Sequence, residues 1–253
     1  MYDATKVFIL ATQMPIQEIP RLIRLISLLT CLLTIAGCSS DVDKAKQLVT
    51  DSLVIKAGLE FNDVASYPGD VVCGGFSAYI SYNEPPLREA PFVVTSGTLD
   101  RSPTPMKWRI LCNKDPAESL YSETGIGPIT AESHEILQII RDMTLLTANL
   151  EEYYTDNSAF PLESDGLQAL LQKPEADRFT RNYREGGYIS ELPVDPWGRQ
   201  YLYTHTRWGR VKGTFEIITL GQSGKPGGTG LEADVSSSYL GYMLHITHLL
   251  GIE

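Results

Sequence analysis

Two histidines near the end of the chain, His245 and His248, have a spacing that a metal ion can use. They lie three positions apart in residues 239–252, a segment whose apolar content predicts a helix, so both imidazoles fall on one side of it. Zinc sites in proteins use at least three protein ligands, and the sequence offers no third ligand beside this pair. The pattern favours a capped, partly buried terminal helix, and a zinc site is the alternative.

Other residue patterns of enzymes are missing from the sequence. It contains no Gly-x-Ser-x-Gly nucleophile motif and no catalytic cysteine motif. Residues 224–230 are rich in glycine, but they lack the Gly-Lys-Ser/Thr ending and the following helix of a phosphate-binding loop. We therefore expect a protein that is not an enzyme.

The composition limits the classes of partner. The chain has 253 residues, of which 43% are hydrophobic, which is typical of one or two compact domains. Its formal net charge of -10 argues against a nucleic-acid partner or an anionic lipid surface. An acidic chain is better suited to binding cations.

A basic flank and a short apolar run precede the second cysteine of the sequence. Arg21 and Arg24 are followed by the apolar residues 25–35, and the sequence Ile-Ala-Gly-Cys then ends at Cys38. This order resembles the lipobox of bacterial lipoproteins, in which the cysteine is acylated and becomes the first residue of the mature protein. We therefore predict a signal peptide at residues 1–37 and lipidation of Cys38 with palmitate.

Two alternatives to a lipoprotein signal remain. The apolar run is about half of the ~20 residues that a membrane-spanning helix requires, which makes an uncleaved anchor the poorer interpretation. A mistranslated upstream extension is the other alternative, because many residues precede the basic flank, and Met14 rather than Met1 then becomes the start. Ser39 after the cysteine resembles the sorting signal for the outer membrane.

The remaining cysteines predict a disulfide bond. Cys31 leaves with the signal peptide and Cys38 is lipidated, so Cys73 and Cys112 form a single pair in an oxidising compartment. A metal site built from the two thiolates is the alternative, but no histidine lies near either of them.

The mature chain divides into two parts with different residue patterns. Residues 38–112 read as a small β-rich module that opens with a helix at 41–53 and continues with strands at 70–80, 92–95 and 107–112. Residues 113–130 are rich in Pro, Gly, Ser and Thr and read as a linker.

A long helix opens the second part, residues 131–253. Its apolar residues recur at steps of three and four positions, as expected for a helix packed on a core. These residues are Ile136, Ile139, Ile140, Met143, Leu146, Leu150, Tyr153 and Tyr154. Charged residues interrupt the helix, so it is not suited to a bilayer interior.

An ordered series of motifs follows this helix. They are Asn-Leu-Glu-Glu-Tyr-Tyr-Thr-Asp-Asn at 149–157, Phe-Pro at 160–161, Gly-Leu-Gln-Ala-Leu at 166–170, Gly-Tyr-Ile at 187–189, Leu-Pro-Val-Asp-Pro-Trp-Gly at 192–198 and Ile-Thr-Leu-Gly at 218–221. The series is similar to the globular half of the major (G-type) pseudopilin of type II secretion systems. The resemblance implies an α+β domain in which one long helix packs on a small antiparallel sheet, with strands at 199–204 and 214–220.

The resemblance also implies a calcium site. In the family, the loop after the second strand binds calcium through aspartates and backbone carbonyls, and Leu220, Ser223, Glu232 and Asp234 occupy the corresponding positions. Calcium takes six to eight oxygen ligands, which acids on a glycine-rich loop can supply. Because Ser223 stands where the family has an aspartate and Lys225 adds a positive charge, we expect weaker binding. Turn hydrogen bonds alone are the alternative.

These features lead to three hypotheses about function. The first is a lipid-anchored, periplasm-facing lipoprotein, in the outer membrane by preference, that contacts pseudopilins or other proteins of a type II secretion or pilus-like system. The second is a stand-alone calcium-binding or envelope lipoprotein with a borrowed pseudopilin fold. The third is an envelope hydrolase. The chain lacks the apolar filament helix and the processing motif of pseudopilins at its mature start, so we do not expect ordinary polymerisation.

Overall fold

The structure is a computed structural model that describes residues 40–79, 81, 84–175, 180, 182–206 and 213–252. From Asp41 onward the chain forms one compact unit. Cys38 and the rest of the predicted lipoprotein signal lie outside the described residues. None of the helices in the described ranges combines the length and apolar character needed to cross a bilayer.

A helix and a four-stranded antiparallel sheet form the first part of the unit. Helix α1 spans Asp41–Ser52, and the strands are β1 (Glu60–Tyr67), β2 (Val71–Ala78), β3 (Leu87–Thr95) and β4 (Thr98–Asp100), in the order β1-β2-β3-β4. The predicted helix at 41–53 and the predicted strands at 70–80 and 92–95 are confirmed. Strands β1 and β4 were not predicted.

The strand predicted at 107–112 is wrong, because helix α2 spans Pro105–Leu111. The hydroxyl of Thr104 accepts a hydrogen bond from the Lys107 amide at 3.1 Å, and Pro105 occupies the first helical turn. Both residues stabilise a helix start, since proline has no amide hydrogen to leave unpaired there. The capping geometry therefore outweighs the β-propensity of Trp108 and Ile110.

A further helix occupies the segment predicted to be a linker. Helix α3 spans Pro116–Thr124, with Asp115 as its N-terminal cap and Gly125 as its left-handed C-terminal cap. Leu120 on this helix and Ile126 after it are buried in the main core. The division into module, linker and C-terminal domain stays a prediction, but residues 113–130 contribute to the hydrophobic interior.

The predicted long helix is confirmed as α4, His134–Asn157, which ends at a left-handed Ser158. The side-chain hydroxyl of Ser133 donates to the Pro128 carbonyl at 2.8 Å and accepts from the Thr130 amide at 3.1 Å. These bonds form a turn directly before the helix. Of the apolar residues predicted to face the core, Tyr154 is partly buried and the others are buried.

Strand β2 is buried on both faces and joins two cores. Val72 and Phe76 pack with Val49 of α1 in the smaller core. Val71 and Cys73, on the opposite face, belong to the main core together with residues of α2, α3 and α4. The β-rich part and the long helix thus share one interior.

The C-terminal part has the predicted arrangement of a long helix on a small antiparallel sheet. Strands β5 (Leu202–Thr206), β6 (Thr214–Thr219) and β7 (Val235–Ser236) pair in that order. A short 3-10 helix spans Gly166–Leu170, and helix α5 spans Leu240–Leu249, as the apolar segment at 239–252 predicts. The protein is therefore α+β.

Aromatic side chains fix the path of the chain where α4 ends. Phe160 is buried, and its ring centroid lies 4.9 Å from those of both Tyr154 and Phe215. The Asn157 amide donates to the Tyr188 hydroxyl at 2.8 Å. These contacts connect the helix end to strand β6 and to the chain around Tyr188.

The predicted pair Cys73 and Cys112 forms a disulfide bond, with Cα atoms 5.9 Å apart. Cys73 lies in β2, and Cys112 caps the C-terminal end of α2. The bond therefore connects a strand to a helix, and the expectation that it connects two strands is wrong.

The turn between β1 and β2 contacts helix α5 at His245. A Cβ atom added at Gly69 would come within 2.4 Å of the His245 ring, so the turn and the imidazole are closely packed. Burial lowers the pKa of His245, a hydrogen bond to the Pro68 backbone opposes this change, and the neighbouring His248 adds to it. The structure therefore favours the neutral form of His245.

We predict that replacing both bonded cysteines by serine lowers the free energy of unfolding by about 4 kcal/mol. The bond closes a loop between cysteines separated by 39 positions, and loss of this constraint increases the entropy of the unfolded chain. Urea unfolding midpoints with and without a reductant measure the effect. The reductant should lower the unfolding midpoint of the parent to that of the double variant. It should not change the midpoint of the double variant. A parent midpoint insensitive to reductant contradicts the prediction.

We also predict that stability decreases as the pH falls below about 6.5, the ordinary histidine pKa in an unfolded chain. Because the folded pKa of His245 is lower, the unfolded chain binds the proton first, and the stabilisation is lost as the pH falls toward the folded value. The substitution His245→Gln should flatten the dependence of the melting temperature on pH between about 7.5 and 5.5. His134→Gln, at an exposed position on another helix, is the control, and an equal effect of both variants contradicts the prediction.

Candidate functional site

A buried carboxylate organises the turn that precedes β5. The Asp195 side chain is only 2% exposed, and its Oδ1 accepts hydrogen bonds from the amides of Trp197 at 3.1 Å and Arg199 at 2.8 Å. Its Oδ2 accepts from the Thr219 hydroxyl at 2.8 Å, at the end of β6. A buried carboxylate needs this number of donors to offset its lost hydration. Asp195 therefore fixes the turn and the start of the β6–β7 loop together.

The Arg199 side chain extends this arrangement to the loop. Its Nε lies 3.2 Å from Asp195 Oδ2, its Nη1 donates to the Gln222 carbonyl at 3.2 Å, and its Nη2 donates to the Gly221 carbonyl. The guanidinium also lies over the Trp197 ring, 5.4 Å from the centroid. One cation thus contacts a buried carboxylate and two successive loop carbonyls.

All four residues predicted to bind calcium lie on the loop between β6 and β7 or at its borders. Leu220 follows β6 and is partly buried, and Ser223 is exposed, with its hydroxyl accepting from the Lys225 amide at 3.2 Å. Glu232 is exposed in a short 3-10 turn, and Asp234 is partly buried just before β7. The loop brings the four residues into one segment, with Ser223 already engaged by its own backbone.

The Asp234 carboxylate has one oxygen that suits a cation. Its Oδ2 accepts from the Gly227 amide at 2.8 Å, whereas Oδ1 is buried and has no hydrogen-bond partner among the described residues. A buried, unpaired carboxylate oxygen is costly, and a bound cation would offset that cost. Asp234 therefore fits the predicted donor set better than the exposed Glu232 does.

Backbone contacts fix both sides of the loop. The Gln222 amide donates to the Leu231 carbonyl at 2.7 Å, and the Gly230 amide donates to the carbonyl of Gly125, the cap of α3, at 2.8 Å. Gly221 has a φ of +59°, and a Cβ atom there would lie 2.6 Å from the Glu232 backbone. The close approach at Gly221 explains why glycine is required at this position.

The remaining predicted metal ligands do not gather into a site. Over the parts of the chain that the structure describes, no group of three or more His, Cys, Asp or Glu side chains is arranged to hold a metal ion. His245 packs on the β1–β2 turn, and His248 is exposed. The geometry gives the zinc alternative for this pair no support.

A tyrosine joins the long helix to the sheet below it. The Tyr201 hydroxyl donates to the Asp142 carboxylate at 2.9 Å, and the Tyr203 hydroxyl donates to the Pro161 carbonyl at 3.0 Å. Burial raises the pKa of Tyr201, and the adjacent Asp142 charge raises it further. Both phenols therefore stay protonated and act as structural donors. These two hydrogen bonds attach the start of β5 to helix α4 and to the segment that follows it. With the Asp195 turn and the β6–β7 loop, they are the main polar contacts described for residues 132–238.

Residues 132–238 match a known family. The model for this family is described as Type II secretion system (T2SS), protein G. The match begins just before helix α4 and ends just after strand β7, so it contains the helix, the small sheet and the loop between β6 and β7. The resemblance of this region to the major pseudopilin, which the motif order predicts, is confirmed, and we call residues 131–253 the pseudopilin-like domain.

Several relatives of the pseudopilin-like domain are named type II secretion system core protein G. The one from Vibrio cholerae is 44% identical over 98 residues, which are 39% of this chain and 64% of the relative. The one from Pseudomonas aeruginosa is 38% identical over 96 residues, or 38% of this chain and 66% of the relative. The one from Escherichia coli K12 is 31% identical, with shares of 39% and 63%. The chain thus spans slightly less than two thirds of the length of these relatives.

A solved structure also aligns with this chain. It is the major pseudopilin from the type 2 secretion system of enterohaemorrhagic Escherichia coli, 29% identical, and the alignment covers 44% of this chain and 96% of that one, with a TM-score of 0.33.

Sequence reasoning missed the contact between Arg199 and the β6–β7 loop. Arg199 was treated only as the start of a predicted strand, which in fact begins at Leu202. One signal was available, since Arg199 follows the Asp-Pro-Trp-Gly turn by one position and Asp195 provides an acidic partner four residues earlier. Its contacts with Gly221 and Gln222, more than 20 positions away, required the folded structure.

Proposed function

We propose that this protein is a lipid-anchored, non-enzymatic component of a type II secretion or pilus-like system, in which the pseudopilin-like domain contacts other subunits. One observation carries the proposal, namely the match of residues 132–238 to protein G of type II secretion. The contacts of Asp195, Phe160 and Tyr201 show how the shared motifs maintain that fold. The secretion system that the names of the relatives give extends to this chain as part of the proposal.

The lipid anchor in this proposal depends on Cys38. The basic flank and apolar run before it resemble a lipobox, and acylation of one cysteine would attach the domain to a membrane, with the outer membrane preferred. The acidic net charge supports protein partners over nucleic acid. In this arrangement the pseudopilin-like domain faces the periplasm and performs its role through contacts between proteins.

A stand-alone calcium-binding or envelope lipoprotein is the second candidate function. It is favoured by the buried, unpaired Oδ1 of Asp234 and by the acidic composition. Gene neighbourhood distinguishes the two candidates, because adjacent genes for a secretion ATPase and a secretin favour the first and a solitary locus favours the second.

We predict that a photo-crosslinking side chain at Leu145 of helix α4 captures a secretion or pilus subunit in cells. Leu145 is 46% exposed on the pseudopilin-like domain, whereas Val54, 95% exposed in the segment after α1, provides a matched control position. Mass spectrometry of the adducts identifies the partners. Recovery of no secretion or pilus subunit from Leu145 would count against the proposed role.

Cells that express the full-length protein also test the proposed lipid anchor at Cys38. Labelling with radioactive palmitate should mark the parent, and Cys38→Ser should abolish the label and leave a longer protein that retains residues 1–37. An unlabelled parent of full length would instead support an uncleaved anchor.

We further propose that the β6–β7 loop binds calcium weakly, through the Leu220 carbonyl, the Ser223 hydroxyl and the carboxylates of Glu232 and Asp234. When bound, the ion would supply a structural cross-link between the two ends of the loop. The buried Asp234 Oδ1 supports this donor set. Two carboxylates in place of three, with Lys225 nearby, argue for low affinity.

We predict a small stabilisation by calcium. With a dissociation constant of about 1 mM, calcium at about 10 mM adds about 1.4 kcal/mol, or roughly 3–6 °C in melting temperature. Scanning calorimetry with calcium and with EGTA measures the shift. Asp234→Ala should abolish it, whereas Glu191→Ala, an exposed acid outside the loop, should retain it. An identical melting temperature of the parent in both buffers would end the calcium proposal.

A further inference from the structure

We infer that Arg199 is a built-in cation for the β6–β7 loop and that its guanidinium holds the loop in place whether or not calcium is bound. The inference is independent of the proposed secretion role. It assigns a positioning function to a residue outside the loop, and it means that the conformation of the loop does not depend on a dissolved metal ion.

The first support is the arrangement of donors and acceptors around the side chain. The guanidinium donates to the carbonyls of Gly221 and Gln222, the first two residues after Leu220. A planar guanidinium has five N–H donors in a fixed fork, so it can hold several oxygen acceptors at once. Carbonyl oxygens at the start of a loop are the type of ligand that calcium uses, and here an arginine binds two of them.

The second support is that the guanidinium is itself fixed. Its Nε is bound by Asp195, whose carboxylate is buried and also accepts from Thr219. The Trp197 ring lies beside the guanidinium on another side. Because the side chain is already ordered, little entropy is lost when it holds the loop carbonyls.

The third support is the close packing of the guanidinium against the loop backbone. A Cβ atom at Gly224 would lie 3.0 Å from Arg199 Nη1, so the guanidinium packs directly against the loop backbone. The far side of the loop is bound to the cap of α3 through the Gly230 amide and the Gly125 carbonyl. Arg199 and α3 therefore hold the loop from two sides.

The positive charge also has a consequence for metal binding. A guanidinium at the Gly221 and Gln222 carbonyls repels a divalent cation at the same loop, and Lys225 adds to this repulsion. Removal of the Arg199 charge should therefore loosen the loop and strengthen its response to calcium. If Arg199 only filled space, its replacement would loosen the loop but would not strengthen the response of the loop to calcium.

Hydrogen–deuterium exchange of peptides that cover residues 220–235, in the full-length protein, tests the inference. The amides of Gln222, Gly224, Gly227 and Gly230 report on the loop because each donates a hydrogen bond. In the parent, exchange should already be slow in EGTA, and calcium at about 10 mM should slow it by no more than about tenfold, the factor that weak binding adds. In Arg199→Gln, exchange should become about tenfold faster in EGTA, because hydrogen bonds to a charged group are lost. Calcium should partly restore protection in this variant.

Two further variants sharpen the test. Arg199→Lys keeps the charge but not the fork, so it should show an intermediate exchange rate. Arg141→Gln, at an exposed arginine of helix α4, is the matched control and should leave the loop unchanged. Unchanged loop exchange in Arg199→Gln would overturn the inference.

The parent alone also decides the question, even if a variant fails to fold. Fast exchange of its loop in EGTA and slow exchange in calcium would show that a dissolved cation holds the loop, and the inference would be wrong. A parent whose loop is protected in both buffers, but whose melting temperature in calorimetry does not change with calcium, would refute only the calcium proposal.

Discussion

The burial of strand β2 on both faces is the constraint on which the rest of the structure depends. Its residues alternate between two cores, with Val72 and Phe76 facing helix α1 and with Val71 and Cys73 in the main core. A strand buried on both sides must be covered by an element on each side, since otherwise a row of apolar side chains would meet water. The long helix α4 and the helices α2 and α3 therefore share an interior with the β-rich part. The disulfide at Cys73 reinforces this arrangement at its centre.

Much of the fold follows from periodicity and from local signals in the sequence. The apolar residues of α4 recur every three to four positions, and the structure confirms this helix. It also confirms strands β2 and β3, which β-branched and aromatic residues predict, and strands β5 and β6, which the resemblance implies. Helix α2 was predicted as a strand from its β-favouring residues, and the segment of α3 was predicted as a linker from its Pro, Gly, Ser and Thr content. Pro105 and Pro116 each follow a capping residue, Thr104 or Asp115, and in that position proline begins a helix. The shared core was not predictable in the same way, because periodicity shows which face is apolar but not which element covers it.

The candidate site was predictable only in part. The residues from Leu220 to Asp234 are close in sequence, so a loop that contains all four predicted ligands follows directly from the motif order. Which side chains are free to bind a cation depends on partners elsewhere in the chain. The Ser223 hydroxyl is engaged by its own loop, and Arg199 reaches two loop carbonyls from the segment just before β5, the strand that pairs with β6. Contacts of this kind depend on tertiary geometry, which short-range patterns do not encode.

The shared interior also restricts how the gene can change during evolution. Exchange of the β-rich part for an unrelated segment would uncover the apolar surface formed by Ile110, Leu120 and the adjoining face of α4. Deletion of the long helix would remove apolar residues from the cluster that contains Val71 and Val93. Substitutions on either side of this boundary must therefore compensate one another, and the two parts are expected to be inherited as a pair.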